Sequence, residues 1–326
     1  MKMMPLLCAA LLTVTMAAAQ EGAKPMSTTT PDTGLSLSLG TATPGGGFPL
    51  YGDAFAEVMN KADPSLTLAT RNTKGSTENI PLLEAGQLDL ALVAGEPAYE
   101  AFKGIGRAPT KLKIITALYS NPGMFVVRAD SPYKTIRDLV GKPIAFGAKG
   151  SGLVILSRYV LDGLGLDQDK DFQSVYLDRA GDGPAMVQDG RVAGLWGAGL
   201  GWPGFKAMSE SPGGARFIAP DAAEIAQIRA KHAFLKPMLV EANSYPNQPV
   251  PIASVGSWSY ILARETLPDD VAYRLAKTLH GAEATLGARL AQAKETTANN
   301  TVASAPDVAL IHPGVLKYYK VIGVVR

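Results

Sequence analysis

Apolar residues in this chain alternate between two spacings, every second position and every third or fourth, almost continuously from Leu35 onward. Leu35 to Leu39 alternates as a strand, and Ala54, Phe55, Val58 and Met59 then keep helical spacing. Leu66 to Thr70 reads as a second strand, and Ile80 and Leu83 lie on a helix that Gly86 should end. Leu88 to Val93 is a nearly unbroken apolar run suited to the middle of a sheet, and Ile114 to Leu118 makes another strand. A second set begins after Asn121-Pro122-Gly123. Its strands are Met124 to Val127, Pro143 to Phe146, Val175 to Leu177 and Val192 to Trp196; its helices are Thr135 to Val140, Leu153 to Leu164 and Gly183 to Gln188. From Gly197 to Pro251 the pattern is irregular, with helical patches near Phe205 to Met208 and Ala222 to Ala230. The apolar stretch Ile252 to Ala263 comes next. A helix opened by Pro268 and its neighbouring acids then runs to about His280. A second helix is predicted over Ala282 to Ala293, and a last one near Gly314.

Strands alternating with helices predict an α/β protein with mainly parallel sheets. Two long strand candidates, Ile114 to Val127 and Ile252 to Ala263, bracket the middle third. They favour a discontinuous arrangement: residues 34–123 plus 256–326 form one lobe and residues 124–255 the other. Two crossing strands would make the hinge, with a ligand cleft between the lobes. The competing arrangement is two consecutive domains split near Asn121.

The ends and the charge narrow the setting. Lys2, the apolar run from Leu6 to Met16 and Ala17-Ala18-Ala19 read as a signal peptide over residues 1–19, with a retained anchor as the alternative. Residues 20–33 are polar and read as a flexible leader. The only cysteine, Cys8, falls inside the signal peptide, so the mature chain is expected to have no disulfide and no thiolate site. Removing Lys2 leaves 30 basic residues (31 less one) against 29 acidic ones, and no basic run stands out. That argues against a nucleic-acid partner. No later stretch is apolar enough to span a bilayer, so a soluble periplasmic protein is expected. Histidines at 232, 280 and 312 have no metal spacing, and neither metal nor cofactor is expected.

Three glycine-rich corners carry the candidate chemistry. Gly40 to Gly47, Thr73 to Asn79 and Gly147 to Gly152 each follow a strand pattern and open a helix. Thr41, Ala42 and Gly46 stand at the first, Thr73, Gly75, Ser76 and Asn79 at the second, and Gly150, Ser151 and Gly152 at the third. Small residues there let backbone N–H groups approach an anion, which the helix dipole also favours. The plainer readings are tight turns and simple helix caps. Desolvating a carboxylate costs several kcal/mol, against roughly 1.5–3 kcal/mol for each hydrogen bond to it, so a cation would help. Arg71, Lys74, Lys149 and Arg179 lie beside the corners; a solvated surface charge is the commoner role for any one of them, Arg71 and Lys149 are the ones favoured for the ligand, and Arg71→Ala is expected to weaken an acidic ligand by about tenfold or more. Tyr51, Tyr119, Trp196 and Trp202 are candidates for the pocket wall, against a core role, with at least one tryptophan touching ligand. Glu96 would bind an amine or hold a loop. His312 reads as structural.

In this order the residues carry a resemblance. Leu39-Gly40-Thr41-Ala42 with Gly45-Gly46 and Tyr51, Thr73 with Gly75-Ser76 and Glu78-Asn79, and Ala85-Gly86-Gln87-Leu88-Asp89-Leu90-Ala91 form its first part. Ile136 to Lys142, Gly147, Gly150-Ser151-Gly152, Asp189-Gly190-Arg191, Leu267 to Tyr273 and Ile311-His312-Pro313-Gly314 with Tyr318-Tyr319 complete it. The chain resembles the TAXI group of solute-binding proteins, the extracytoplasmic receptors of TRAP transporters. The resemblance implies a type II periplasmic binding-protein fold. It also implies capture of a small organic acid or amino acid, and delivery to the TRAP membrane subunits, small and large or fused, without catalysis. A monomer binding a small anionic or zwitterionic ligand is expected. The sequence departs from the group's pattern at Ala94-Gly95-Glu96, Asn121-Pro122-Gly123, Leu153 and Val192-Ala193-Gly194, all near the cleft, so no ligand is carried over. The rival readings are a receptor for an ATP-driven importer, a partner of a membrane sensor, and an exported enzyme. The last lacks a Walker lysine, a G-x-S-x-G elbow and a complete G-x-G-x-x-G.

Overall fold

The computed structural model describes residues 34–326; the expected signal peptide and leader, with Cys8, lie outside the described residues. The first run of elements is β1 (Leu35–Gly40), α1 (Gly47–Ala62), β2 (Leu66–Arg71), α2 (Ser76–Glu84), β3 (Leu90–Val93), α3 (Gly95–Lys103) and β4 (Lys113–Ser120). Then come β5 (Gly123–Arg128), β6 (Pro143–Ala148), α4 (Gly152–Gly163), β7 (Gln173–Leu177), α5 (Gly183–Gln188) and β8 (Gly194–Ala198). They are followed by α6 (Pro203–Ser209), β9 (Ala215–Ile218), α7 (Ala222–Lys231), β10 (Lys236–Val240) and β11 (Ile252–Gly256). β12 (Trp258–Ala263), α8 (Asp269–Arg289), α9 (Ala298–Ser304) and α10 (Pro313–Val321) finish the chain.

The strands form two five-stranded sheets, β2-β1-β3-β12-β4 and β7-β6-β8-β5-β9, and a small β10-β11 pair. β1 runs parallel to β2 and β3, and β6 parallel to β7 and β8. The sheets are mixed rather than mainly parallel as expected. β12 runs antiparallel to β3 and β4, and β5 antiparallel to β8 and β9. Each of these reversed strands is the one that has just arrived from the other half of the chain, so it enters its sheet from the opposite end. Each sheet has its own core: Leu39, Phe55, Met59 and Ile261 are packed in the first, Phe125, Phe146 and Leu161 in the second.

Both long strand candidates are broken in two. Ile114 to Val127 divides at Asn121-Pro122 into β4 and β5, which sit in different sheets, and Ile252 to Ala263 divides at Ser257 into β11 and β12. Pro122 has no N–H to continue a ladder. The two breaks meet. Asn121 N–H donates to Ser257 O at 2.9 Å, and its side-chain amide donates to Ser257 O (3.1 Å), Tyr119 O (3.3 Å) and Ser259 Oγ (2.9 Å). A Cβ on Gly256 would stand 1.8 Å from Asn121 O, so only glycine allows the chains to cross this closely.

Other differences have local causes. The two helices predicted over 268–293 are one, α8, because Ala272, Leu275, Ala276, Leu279, Ala282 and Leu286 keep one buried stripe through Gly281. Packing of that stripe outweighs the roughly 1 kcal/mol that glycine costs a helix. Thr135 to Val140 shortens to a single turn of 3-10 helix at Arg137–Leu139. α3 was not predicted; its buried face is short, Glu96, Pro97, Ala98 and Ala101 behind Gly95.

Candidate functional site

Every corner expected from the glycines is the end of a strand feeding the start of a helix: β1 into α1, β2 into α2, β6 into α4. In an open α/β sheet the crevice outside the carboxyl ends of the strands is where ligands bind. A cleft of about 590 Å3, its mouth included, lies there and is lined from both sheets. α1, α2 and α4 reach it with no side chain capping their first turns, though in α2 the Thr77 N–H is already taken by Gly150 O.

The rim is made of backbone. A Cβ on Gly45 would stand 2.6 Å from Gly181 Cα, and one on Gly75 would stand 2.9 Å from Gly150 O. Both glycines hold positive φ, +81° and +111°, a conformation that side chains resist. Gly150 O accepts from Thr77 N–H at 3.2 Å and from Thr77 Oγ at 3.0 Å, which fastens the two corners across the cleft. On another side Tyr99 of α3 stacks on Phe234, ring centroids 4.0 Å apart, and Glu100 accepts from Arg158 and Tyr159 of α4 at 2.8 Å and 3.0 Å.

The floor is the crossing point. Tyr119, Asn121 and Ser259 line it, and Glu96 rises beside them from the first turn of α3. Glu96 is 1 % exposed. Its Oε1 accepts from Ser257 Oγ at 2.6 Å, and its Oε2 has no partner. Burial pushes its carboxyl up to about 7, against the pull of the Ser257 hydrogen bond and with the help of nearby Glu100. Ser151 Oγ is also buried without a partner. Phe48, Leu153, Leu156 and Trp202 supply apolar wall. Among the described residues no lysine or arginine lines the cleft.

Of the residues expected at the site, Ala42, Gly46, Gly75, Ser76 and Glu96 line the cleft, as do Tyr119, Ser151, Gly152 and Trp202. The others fall elsewhere. Thr41 lies buried behind the first corner, its hydroxyl 3.2 Å from Arg71 O and from Asn72 Oδ1. Thr73 Oγ donates to Thr41 O at 3.1 Å and accepts from Gly75 N–H at 3.1 Å. Asn79 donates to Thr41 O and Leu92 O, both at 2.8 Å, tying β1 to β3. These three shape the corners from behind. Tyr51 is sealed in the first core, its hydroxyl 2.8 Å from Thr296 Oγ. Trp196 is sealed in the second, donating to Leu153 O at 3.0 Å and lying edge-on to Phe125. Gly150 belongs to the rim contact. Arg71 and Lys149 are exposed, as are Lys74 and Arg179, and none of the four lines the cleft; Arg71 reaches Gln87 O at 3.4 Å. The physical reason is direction. A side chain next in sequence to a corner whose N–H groups face inward is turned outward, where its charge stays hydrated. His312 caps α10, its Nδ1 accepting from Gly314 N–H at 3.2 Å.

Sequence reading did not single out Ser257, Ser259, Phe48 or Leu156, and it marked Asn121 only as a boundary and a departure near the cleft. A signal for the first two exists: Ser257-Trp258-Ser259 interrupts an otherwise apolar run, and buried hydroxyls in such a run need partners.

The chain belongs to the NMT1-like family, whose model matches residues 39–323. Among solved structures, a periplasmic transporter is similar over 80 % of this chain and 88 % of its own, at 16 % identity and a TM-score of 0.55. A protein from Bordetella bronchiseptica RB50 matches over 88 % and 98 %, at 14 % identity and 0.55. The alkanesulfonate-binding protein SsuA from Xanthomonas axonopodis pv. citri, bound to MOPS, matches over 87 % and 83 %, at 18 % identity and 0.50. The α/β two-sheet fold is thus that of periplasmic solute-binding proteins, as the resemblance implied.

Proposed function

We propose that this NMT1-like protein is an extracytoplasmic receptor of the TAXI type, which captures a small organic acid or amino acid and hands it unchanged to the membrane subunits of a TRAP transporter. One observation carries the reading: a cleft lined from two separately cored sheets sits on the point where the chain crosses between them. Residues 34–123 with 256–326, and residues 124–255, then act as lobes that open and close about Asn121 and Ser257. An occupant touching both lobes stabilises the closed state by its differential contacts, which is all that closure requires. Delivery to an ATP-driven importer is the runner-up. The membrane protein that co-purifies from native membranes separates the two: a many-span permease fits the first, an ATPase complex the second.

The test is mass spectrometry of small molecules released when the freshly purified chain is denatured, followed by titration of the released molecule into emptied protein. The reading expects stoichiometric release and a change in tryptophan fluorescence that Trp202→Phe removes and Trp196→Phe leaves. Turnover of the molecule by the protein would overturn it.

A further inference from the structure

Among the described residues, the one acid or base that lines the cleft is the carboxyl of Glu96. Glu96 is buried, one oxygen is satisfied by Ser257, and the other is left without a partner among the described residues. A buried oxygen of this kind is expensive to leave bare, so its presence in a cleft points to what the cleft receives. An anionic occupant would meet like charge whenever Glu96 is ionised, with no lysine or arginine among the described lining residues to offset the repulsion. A cationic N–H group reverses the sign of that interaction and fills the missing hydrogen bond with a charge-assisted one. The rest of the wall, Phe48, Leu153, Leu156 and Trp202, suits an apolar body.

We propose that the cleft selects a small solute carrying an ammonium group on an apolar body, and that Glu96 is the residue that determines this choice by accepting the ammonium at Oε2. This rests on the receptor reading and narrows it. A solute that also carries a carboxylate, an amino acid with an apolar side chain, remains neutral overall. Its carboxylate would then face the uncapped start of α4, where Ser151 Oγ is also unpartnered. A simple amine would leave those donors to water.

Calorimetry on emptied full-length protein with two matched triads tests this. One is leucine, isoamylamine and isocaproate; the other is phenylalanine, phenethylamine and hydrocinnamate. The expected result is that, in at least one triad, a member bearing the ammonium binds about tenfold or more tighter than its carboxylate-only counterpart. The zwitterion and the amine then separate the two sources of the group. Glu96→Gln, which keeps an oxygen for Ser257, should weaken that member by about thirtyfold and leave the carboxylate unchanged or tighter. Equal or tighter binding of the carboxylates, unchanged affinity in Glu96→Gln with an unaltered circular dichroism spectrum, or binding of no member of either triad each overturns the proposal. The receptor reading survives any of these results if denaturation of fresh protein still releases a stoichiometric small molecule, and falls with them if it does not.

Discussion

The rim and the floor of the cleft treat charge in opposite ways. Around the rim stand Lys74, Lys149 and Arg179, exposed cations beside backbone that meets backbone at Gly45–Gly181 and Gly75–Gly150. At the floor stands one carboxylate, Glu96, buried and half-satisfied at the crossing of the two chain segments. Counting charges near the corners favours an anion; weighing them by burial favours a cation. Surface charges at physiological salt are screened within about 8 Å, whereas a buried one is not. On the proposed two-lobe reading, the rim would govern whether the cleft shuts, and the floor what it shuts upon.

The largest effect expected is on the rim. Gly150→Ala, at a position without positive φ, would put a Cβ 2.6 Å from Lys74 O across the rim, so affinity for the molecule released from the wild type should fall about tenfold to a hundredfold with secondary structure intact. Calorimetry giving unchanged affinity would show that the rim contact is incidental to binding.

The second effect is on the floor and appears as a pH dependence of stability. The folded carboxyl of Glu96 sits at about 7, above its ordinary value of 4.5, so between these limits the folded chain binds more protons than the unfolded one. Stability of the empty protein from this group is therefore full at low pH and is lost as pH rises through about 7. Glu96→Gln has no such loss. Its melting temperature relative to wild type should climb by several degrees between about pH 5 and pH 8, since about 2–4 °C accompanies each kcal/mol in a chain of this order of size. A pH-independent difference in differential scanning fluorimetry would mean the carboxyl is not held up by burial.

The smallest effect should come from the exposed cations. Arg71→Ala and Lys149→Ala are expected to change affinity by less than about twofold, because both side chains are exposed and outside the cleft. A tenfold loss in either would return the selective charge to the rim.

How much of this was legible in the chain depends on locality. The corners were readable because glycine before a helical pattern is a signal confined to a few residues, and Gly75, Ser76, Ser151 and Gly152 do meet in the cleft. The apolar faces of α1 and α4 were readable for the same reason. The floor was not. Asn121 and Ser257 are 136 positions apart and touch only because two strand candidates break where they cross. The run Ile252 to Ala263 looked like one strand, and the break at Asn121-Pro122-Gly123 did not show that the strands beside it join different sheets, since period alone does not say that a strand leaves one sheet and joins another. Side-chain direction was the other blind spot. Trp196 and Trp202 flank one loop, yet the first is sealed behind Leu153 and the second lines the cleft.

The bond set of Asn121 has a consequence for redesign. Its amide ties Tyr119, Ser257 and Ser259 together, and three of these four residues also line the cleft. Axle and seat are the same residues. Attempts to retailor the protein for a bulkier guest by carving at this junction would loosen the joint as well as enlarge the room. Phe48 and Leu153, which line the cleft outside this bond set, are the positions where, on the proposed two-lobe reading, a new fit could be cut without disturbing the swing.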